Sequence, residues 1–170
     1  MFILARALVY ATLFVAFGLV FIPTQILARA GIAGPASIGA LELAGFGLVL
    51  AGGALVLASI LTFVFVGKGT AAPFDPPRRL VTSGPFRSVR NPIYIGALVG
   101  LGGATLYYRS VGLATYGLVL ALGFHLIVRV YEEPVLRRSF GAEYDDYCSR
   151  VPRWIPAFIA ARSSRPPRTR

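Results

Sequence analysis

Residues 91–128 read NPIYIGALVGLGGATLYYRSVGLATYGLVLALGFHLIV, an apolar run in which Arg109 is the only formal charge. Crossing the hydrocarbon core of a bilayer takes about 20 apolar residues of helix, so this run suits two short crossings better than one. Gly102, Gly103, Tyr107, Tyr108 and Ser110 surround the arginine and favour a break over a single long helix. The reading is a tight helical hairpin, 91–108 and 110–128. Upstream, residues 7–28 and 43–67 are also free of Asp, Glu, Lys and Arg. The expected fold is all-α and integral to a membrane: about four transmembrane helices, the last two forming a C-terminal helical hairpin.

Composition agrees. Hydrophobic residues make up 56% of the chain and charged residues 14%, with mean hydropathy +0.70, whereas a soluble domain carries about 25% charged residues. The first stretch is longer than the apolar region of a secretory leader, and Pro23-Thr24-Gln25 is no small-residue cleavage site; it is expected to remain as a helix. The net charge of +10 is no nucleic-acid footprint. Lys68, Arg78, Arg79, Arg87 and Arg90 lie between the second and third stretches and eight arginines follow Glu133, while the other two connections hold only Arg29 and Arg109. Basic residues collect on the cytoplasmic side, so both termini and the 67–92 loop are expected there, in a bacterial inner membrane or its equivalent. Cys148 and His125 are single, which leaves neither a disulfide framework nor a metal-binding set.

Small residues mark close helix approach: Gly96, Gly100 and Ala104 follow a small-xxx-small register. The segment from Lys68 to Pro92 holds five prolines and cannot form a regular helix. Pro134 should end or kink the fourth helix. Beyond it Leu136, Phe140, Tyr144, Tyr147 and Val151 make a helical apolar stripe, predicting an amphipathic interfacial helix. The chain divides into two N-terminal crossings (1–66), a loop, hairpin and interfacial helix (67–156), and a basic tail (157–170).

The predicted hairpin brings SGPFRSVRNPIYIG (83–96) beside RVYEEPVL (129–136), gathering Arg87, Arg90, Asn91, Tyr94, Tyr131, Glu132 and Glu133. Two consecutive carboxylates at a membrane edge are costly unless paired or used. Arg129 and Arg90 are the cations within sequence reach; one arginine suffices for one carboxylate, and the second glutamate remains available for chemistry.

GPFRSVRNPIYIG followed by YEEPVLRRSFGAEYDDYCSRVPRWIP resembles the membrane methyltransferase superfamily, which includes isoprenylcysteine carboxyl methyltransferases and phospholipid N-methyltransferases. The resemblance runs from about Gly67 to Pro156. It implies S-adenosylmethionine as cofactor, bound on the cytoplasmic side by Arg90, Asn91, Pro92 and Tyr94, by the paired Glu132 and Glu133, by Gly67 and Gly69 of FVGKGT, and by Tyr144 and Tyr147, whose motif also includes Arg150 and Pro152. Arg90, Asn91 and Glu133 are the implied catalytic residues. Asn91 stands where carboxyl methyltransferases usually carry histidine and phospholipid methyltransferases commonly carry asparagine, so the acceptor group stays open among carboxylate, thiol and amine.

The chemistry is coherent. A sulfonium cation is favoured by carboxylates and aromatic faces, an amino-acid carboxylate suits an arginine fork, and in-line methyl transfer asks mainly for positioning. His125 lies about 10 Å along the helix from the glutamates, which suits packing better than proton transfer. The rival readings are an NADPH-dependent reductase of the membrane sterol type and a non-catalytic scaffold. A lipophilic acceptor should enter laterally from the lipid, with Gly96, Ala97 and Gly100 leaving room for its tail.

Overall fold

The structure is a computed structural model describing residues 14–35, 37–67 and 79–156. The expectations for residues 1–13, for Lys68 to Arg78 with Gly69 and three of the loop prolines, and for the tail from 157 onward lie outside the described residues. Within them every regular element is helical. A π-helix, Phe14–Phe21, runs into α1 (Ile22–Arg29); α2 (Ala40–Gly67), α3 (Pro92–Tyr108) and α4 (Val111–Ile127) follow. A π-helical turn, Val128–Glu132, leads to α5 (Glu133–Phe140), and α6 (Ala142–Arg150) follows Gly141.

Among the described residues two helical runs are long and apolar enough to cross a membrane: α2, with mean hydropathy 2.5, and the continuous run Val111–Phe140, with 2.0. Residues Val15–Arg29 and Pro92–Tyr108 are apolar but shorter. Large side chains stand outward on both long helices, among them Leu57 and Phe65 on α2 and Leu118 and Leu122 on α4. A helix apolar on all faces that leaves one of them uncovered is built for hydrocarbon solvent.

The α2–α3 pair is the closest contact, and glycine makes it so. The two helices run antiparallel with Gly45 against Gly103 and Gly52 against Gly96 and Gly100; a β-carbon on Gly52 would lie 2.5 Å from both the Gly96 carbonyl oxygen and the Gly100 nitrogen. Gly45 and Gly52, like Gly96 and Gly103, are seven residues apart, two turns along one face. The expected Gly96–Gly100–Ala104 register is thus only partly the packing register, because Gly103 rather than Ala104 meets α2. At Gly100 an added β-carbon meets no atom nearer than 3.9 Å.

The run 91–128 breaks where the sequence suggests. Arg109 takes a left-handed conformation, φ 48°, and Ser110 Oγ caps α4 by accepting from the Leu113 N–H at 3.3 Å. The Arg109 Nε donates to Glu42 Oε1 at 2.7 Å, and Glu42 Oε2 accepts from the Gly39 N–H at 2.9 Å. Glu42 is 1% exposed and ties the start of α2 to the α3–α4 turn.

The helix does not end at Pro134: the run Val111–Phe140 is continuous. The proline's missing N–H is accommodated by the wider π-turn just before it, and α-helical geometry resumes. The amphipathic segment forms two helices instead of one, since Gly141 adopts φ 51°, a backbone conformation that favours glycine. The predicted stripe is buried all the same: Tyr144, Tyr147 and Val151 form a core with Leu136, Phe140 and Leu80.

Candidate functional site

Two short elements deliver the site to one end of the helices. The turn Gly84–Arg87 packs on the C-terminal part of α2, with Phe86 and Phe63 rings 5.8 Å apart, and leads to Arg90 and Asn91 at the N-terminus of α3. Pro92 at the first helical position suits its missing N–H and fixed φ. The segment 151–156 after α6 then crosses back: the Arg90 N–H donates to the Pro152 carbonyl at 3.0 Å, and Asn91 Nδ2 donates to the Arg153 carbonyl at 3.2 Å.

The glutamates divide their work. Glu133, 7% exposed, is saturated by two arginines. Arg153 grips it as a fork, Nε to Oε1 and Nη2 to Oε2, each at 2.7 Å, and Arg90 Nη1 donates to Oε1 at 2.9 Å. Bidentate charged pairs of this kind are strong and orienting. Glu132 points elsewhere: its Oε1 accepts from the Tyr94 hydroxyl, and the Tyr94 ring stacks on Phe124 with centroids 4.5 Å apart. Consecutive helical side chains diverge by about 100°, so one π-turn presents the two carboxylates to different neighbours.

Arg90 Nη1 also reaches Cys148 Sγ at 2.8 Å, and Arg90 Nε is buried with no hydrogen-bond partner among the described residues. Tyr147 donates to the Phe86 carbonyl at 2.7 Å. Burial pushes the Tyr144 and Tyr147 hydroxyls well above the usual tyrosine range, so both stay protonated at neutral pH. The Trp154 Nε1 donates to His125 Nδ1 at 3.2 Å, giving His125 the packing role expected of it, toward the 151–156 segment.

Of the residues singled out in the sequence, Arg90, Asn91, Tyr94, Glu132, Glu133, Tyr144 and Tyr147 gather at this end. Pro92 starts the helix beneath them. Gly67 closes α2, and Gly69 is outside the described residues. Arg150 turns outward to an exposed pair with Asp146. The second cation on Glu133 is Arg153; Arg129 is exposed. Arg153, Phe124 and Trp154 escape sequence reasoning because nothing periodic links them to the glutamates. The usable signal for Arg153 and Trp154 was their place in the VPRWIP stretch of the resemblance.

The arrangement fits S-adenosylmethionine on one observation in particular: Arg90 Nε, buried and unpartnered among the described residues, is a donor suited to an acceptor such as an amino-acid carboxylate. The Tyr94–Phe124 stack and Glu132 add the aromatic and anionic surfaces that attract a sulfonium.

These features define an all-helical membrane protein with a charged, hydrogen-bonded site at one end of its helices. The chain belongs to the phospholipid methyltransferase family, whose profile matches residues 41–143, taking in α2, RNPIY and YEEP and ending before Tyr144. It is 34% identical over 107 residues to the nickel-cobalt-cadmium resistance protein NccN of Alcaligenes xylosoxydans xylosoxydans, covering 61% of this chain and 49% of that protein. It is 32% identical over 84 residues to probable protein-S-isoprenylcysteine O-methyltransferases of Oryza sativa subspecies indica and japonica, covering 49% of this chain and 44% of each. The chain therefore spans about half the length of the curated relatives it matches. No solved structure matches it.

Proposed function

We propose that this protein transfers a methyl group from S-adenosylmethionine to a lipophilic acceptor at the cytoplasmic face of a membrane. The acceptor is an isoprenylcysteine-type carboxylate or thiol, or a phospholipid amine. The observation that carries the reading is the division of the glutamate pair: Glu133 is neutralised by Arg90 and Arg153, while the partner of Glu132 among the described residues is a tyrosine. When bound, S-adenosylmethionine supplies an electrophilic methyl group on a cationic sulfur. Glu132 with the Tyr94 and Phe124 rings offers that cation its counter-charge. Arg90, held by Glu133, turns Nε toward the carboxylate. Asn91, Pro92, Tyr144 and Tyr147 keep these groups in place, and Gly67 closes α2 nearby. The 151–156 segment, bonded to Arg90, Asn91 and His125, excludes water from the reacting centre.

Calorimetric titration with S-adenosylmethionine and S-adenosylhomocysteine, with NADPH as comparison, tests this. Glu132→Gln is expected to weaken binding of S-adenosylmethionine by about 1.5–3 kcal/mol, the worth of a charged interaction, and of S-adenosylhomocysteine, whose sulfur is uncharged, by less; Tyr94→Phe should weaken both by about 0.5–1.5 kcal/mol. Wild-type affinity in both variants, or tighter binding of NADPH, refutes the assignment.

The full bundle is proposed as four crossings, α3 and α4 forming a membrane hairpin, with both termini cytoplasmic. Arginine asymmetry supports this orientation. A cysteine at Gly34, between α1 and α2, should then react with an impermeant maleimide in intact cells. Labelling only after permeabilisation would reverse the topology.

A further inference from the structure

We propose that the apolar cavity between the N-terminal π-helix, α2 and α3 holds one hydrocarbon chain of the acceptor, and that Gly53 determines how much chain it admits. The cavity measures ≈ 400 Å³ and its described lining is apolar side chains and glycines: Val15 and Leu19 of the π-helix, Ala97 and Gly100 of α3, and, at its outer edge, the exposed Gly53 and outward-standing Leu57 of α2 among them. That volume is at the low end of the roughly 300–1,000 Å³ of ligand pockets, so it takes one chain and leaves any second chain to the bilayer.

Length and position point the same way. The lining runs from Gly96 to Ala104 on α3 and from Val49 to Ile60 on α2, or about 12–16 Å at 1.5 Å per residue. Half of a hydrocarbon core about 30 Å thick is about 15 Å, the reach of one chain in one leaflet. Ala97 packs in one cluster with Phe124 and Tyr94, so a single layer of side chains separates the cavity from the Tyr94–Glu132 pair. A chain lying in the cavity has its polar end directed to that pair.

Of the glycines that meet nothing within 4 Å, Gly53 is one that lines the cavity. Its neighbour Gly52 is required by the backbone of α3, whereas a β-carbon on Gly53 meets nothing within 4 Å. Glycine weakens a helix interior, and here its effect is to leave open space in the cavity wall. A leucine at this position would occupy the space that the chain needs.

The chain's identity as the tail of the methyl acceptor rests on the methyl-transfer reading; occupancy of the cavity does not. The test is photolabelling of the full protein in phosphatidylcholine nanodiscs with hexadecanol bearing a diazirine, with labelled peptides mapped by mass spectrometry. Label is expected to concentrate on residues 49–60 and 96–104 relative to the outward face of α4. Gly53→Leu should lower it about ten-fold, because the side chain excludes two or more methylenes of the ligand. Gly47→Leu, equally free of clash but outside the cavity, should not change it, and Gly53→Ala should fall between.

Uniform labelling of the outward faces, unchanged labelling in Gly53→Leu, or failure of Gly53→Leu to fold where Gly47→Leu folds would each overturn the proposal. S-adenosylhomocysteine titration of the same samples separates the two ideas. Cavity labelling without cofactor binding removes the methyl-transfer reading and keeps the chain site; cofactor binding without cavity labelling does the reverse.

Discussion

Glu133→Ala is expected to lower the stability of the purified protein by about 3–5 kcal/mol, the cost of breaking a buried ion pair and stranding its partner. Arg90 and Arg153 both direct N–H groups at this carboxylate, and the Arg90 side chain is only 13% exposed. Removing the anion leaves two cations facing each other with nothing between them. The same bonds join α5, the start of α3 and the 151–156 segment, so the loss should be felt as release of that segment and not as a local rearrangement. The measurement is a thermal or denaturant melt in detergent, paired with a double-mutant cycle against Arg153→Ala, where coupling above about 0.5 kcal/mol is expected between contacting residues. Replacing the trio together, Glu133→Leu with Arg90→Met and Arg153→Met, should recover most of the stability but none of the cofactor binding. A melt unchanged in Glu133→Ala would show that the ion pairs contribute nothing to holding the site together.

Gly52→Leu and Gly103→Leu should each abolish the folded protein, at a cost above the roughly 1–3 kcal/mol of ordinary overpacking. The obstacle at both sites is backbone: a β-carbon on Gly103 lies 2.5 Å from the Gly45 carbonyl oxygen and 2.7 Å from the Val49 nitrogen. A flexible side chain can move aside, but a helix backbone yields only if α2 and α3 separate along their whole contact. Even Gly52→Ala should reduce folded yield sharply. Gly47→Leu and Gly102→Leu supply the controls, since both positions face open space and leucine is the better helix former. Size-exclusion profiles and helicity by circular dichroism decide it. Equal behaviour of the Gly52 and Gly47 variants would mean that the α2–α3 register is not the one described.

The sequence by itself determined that the chain is helical and apolar enough to need a bilayer, that a turn falls at Arg109–Ser110, and that Arg90, Tyr94 and the two glutamates belong together. Each of these is a local or compositional property. Long apolar runs, a charge among glycines and a proline after two acids are written in contiguous residues, and the physics that reads them acts over one or two helical turns. The resemblance carried by RNPIY and YEEP extended that reading to a likeness in chemistry.

Other features needed the packed molecule. Gly45, Gly52, Gly96 and Gly103 all look alike in sequence to Gly47, Gly53 and Gly102, and only the register of α2 on α3 separates those that touch backbone from those that face open space. The partner of Glu133 stands 20 residues further on in Arg153, across a glycine junction that turns the chain back. Glu42 is one acid at the start of an apolar helix, and its pairing with Arg109 is 67 residues distant. Above all, two adjacent glutamates of equal chemistry were given different tasks, one clamped between arginines and one left to a tyrosine. That assignment follows from which way a π-turn before Pro134 aims each side chain. Direction in space depends on long-range contacts, and for these residues it was settled by tertiary structure alone.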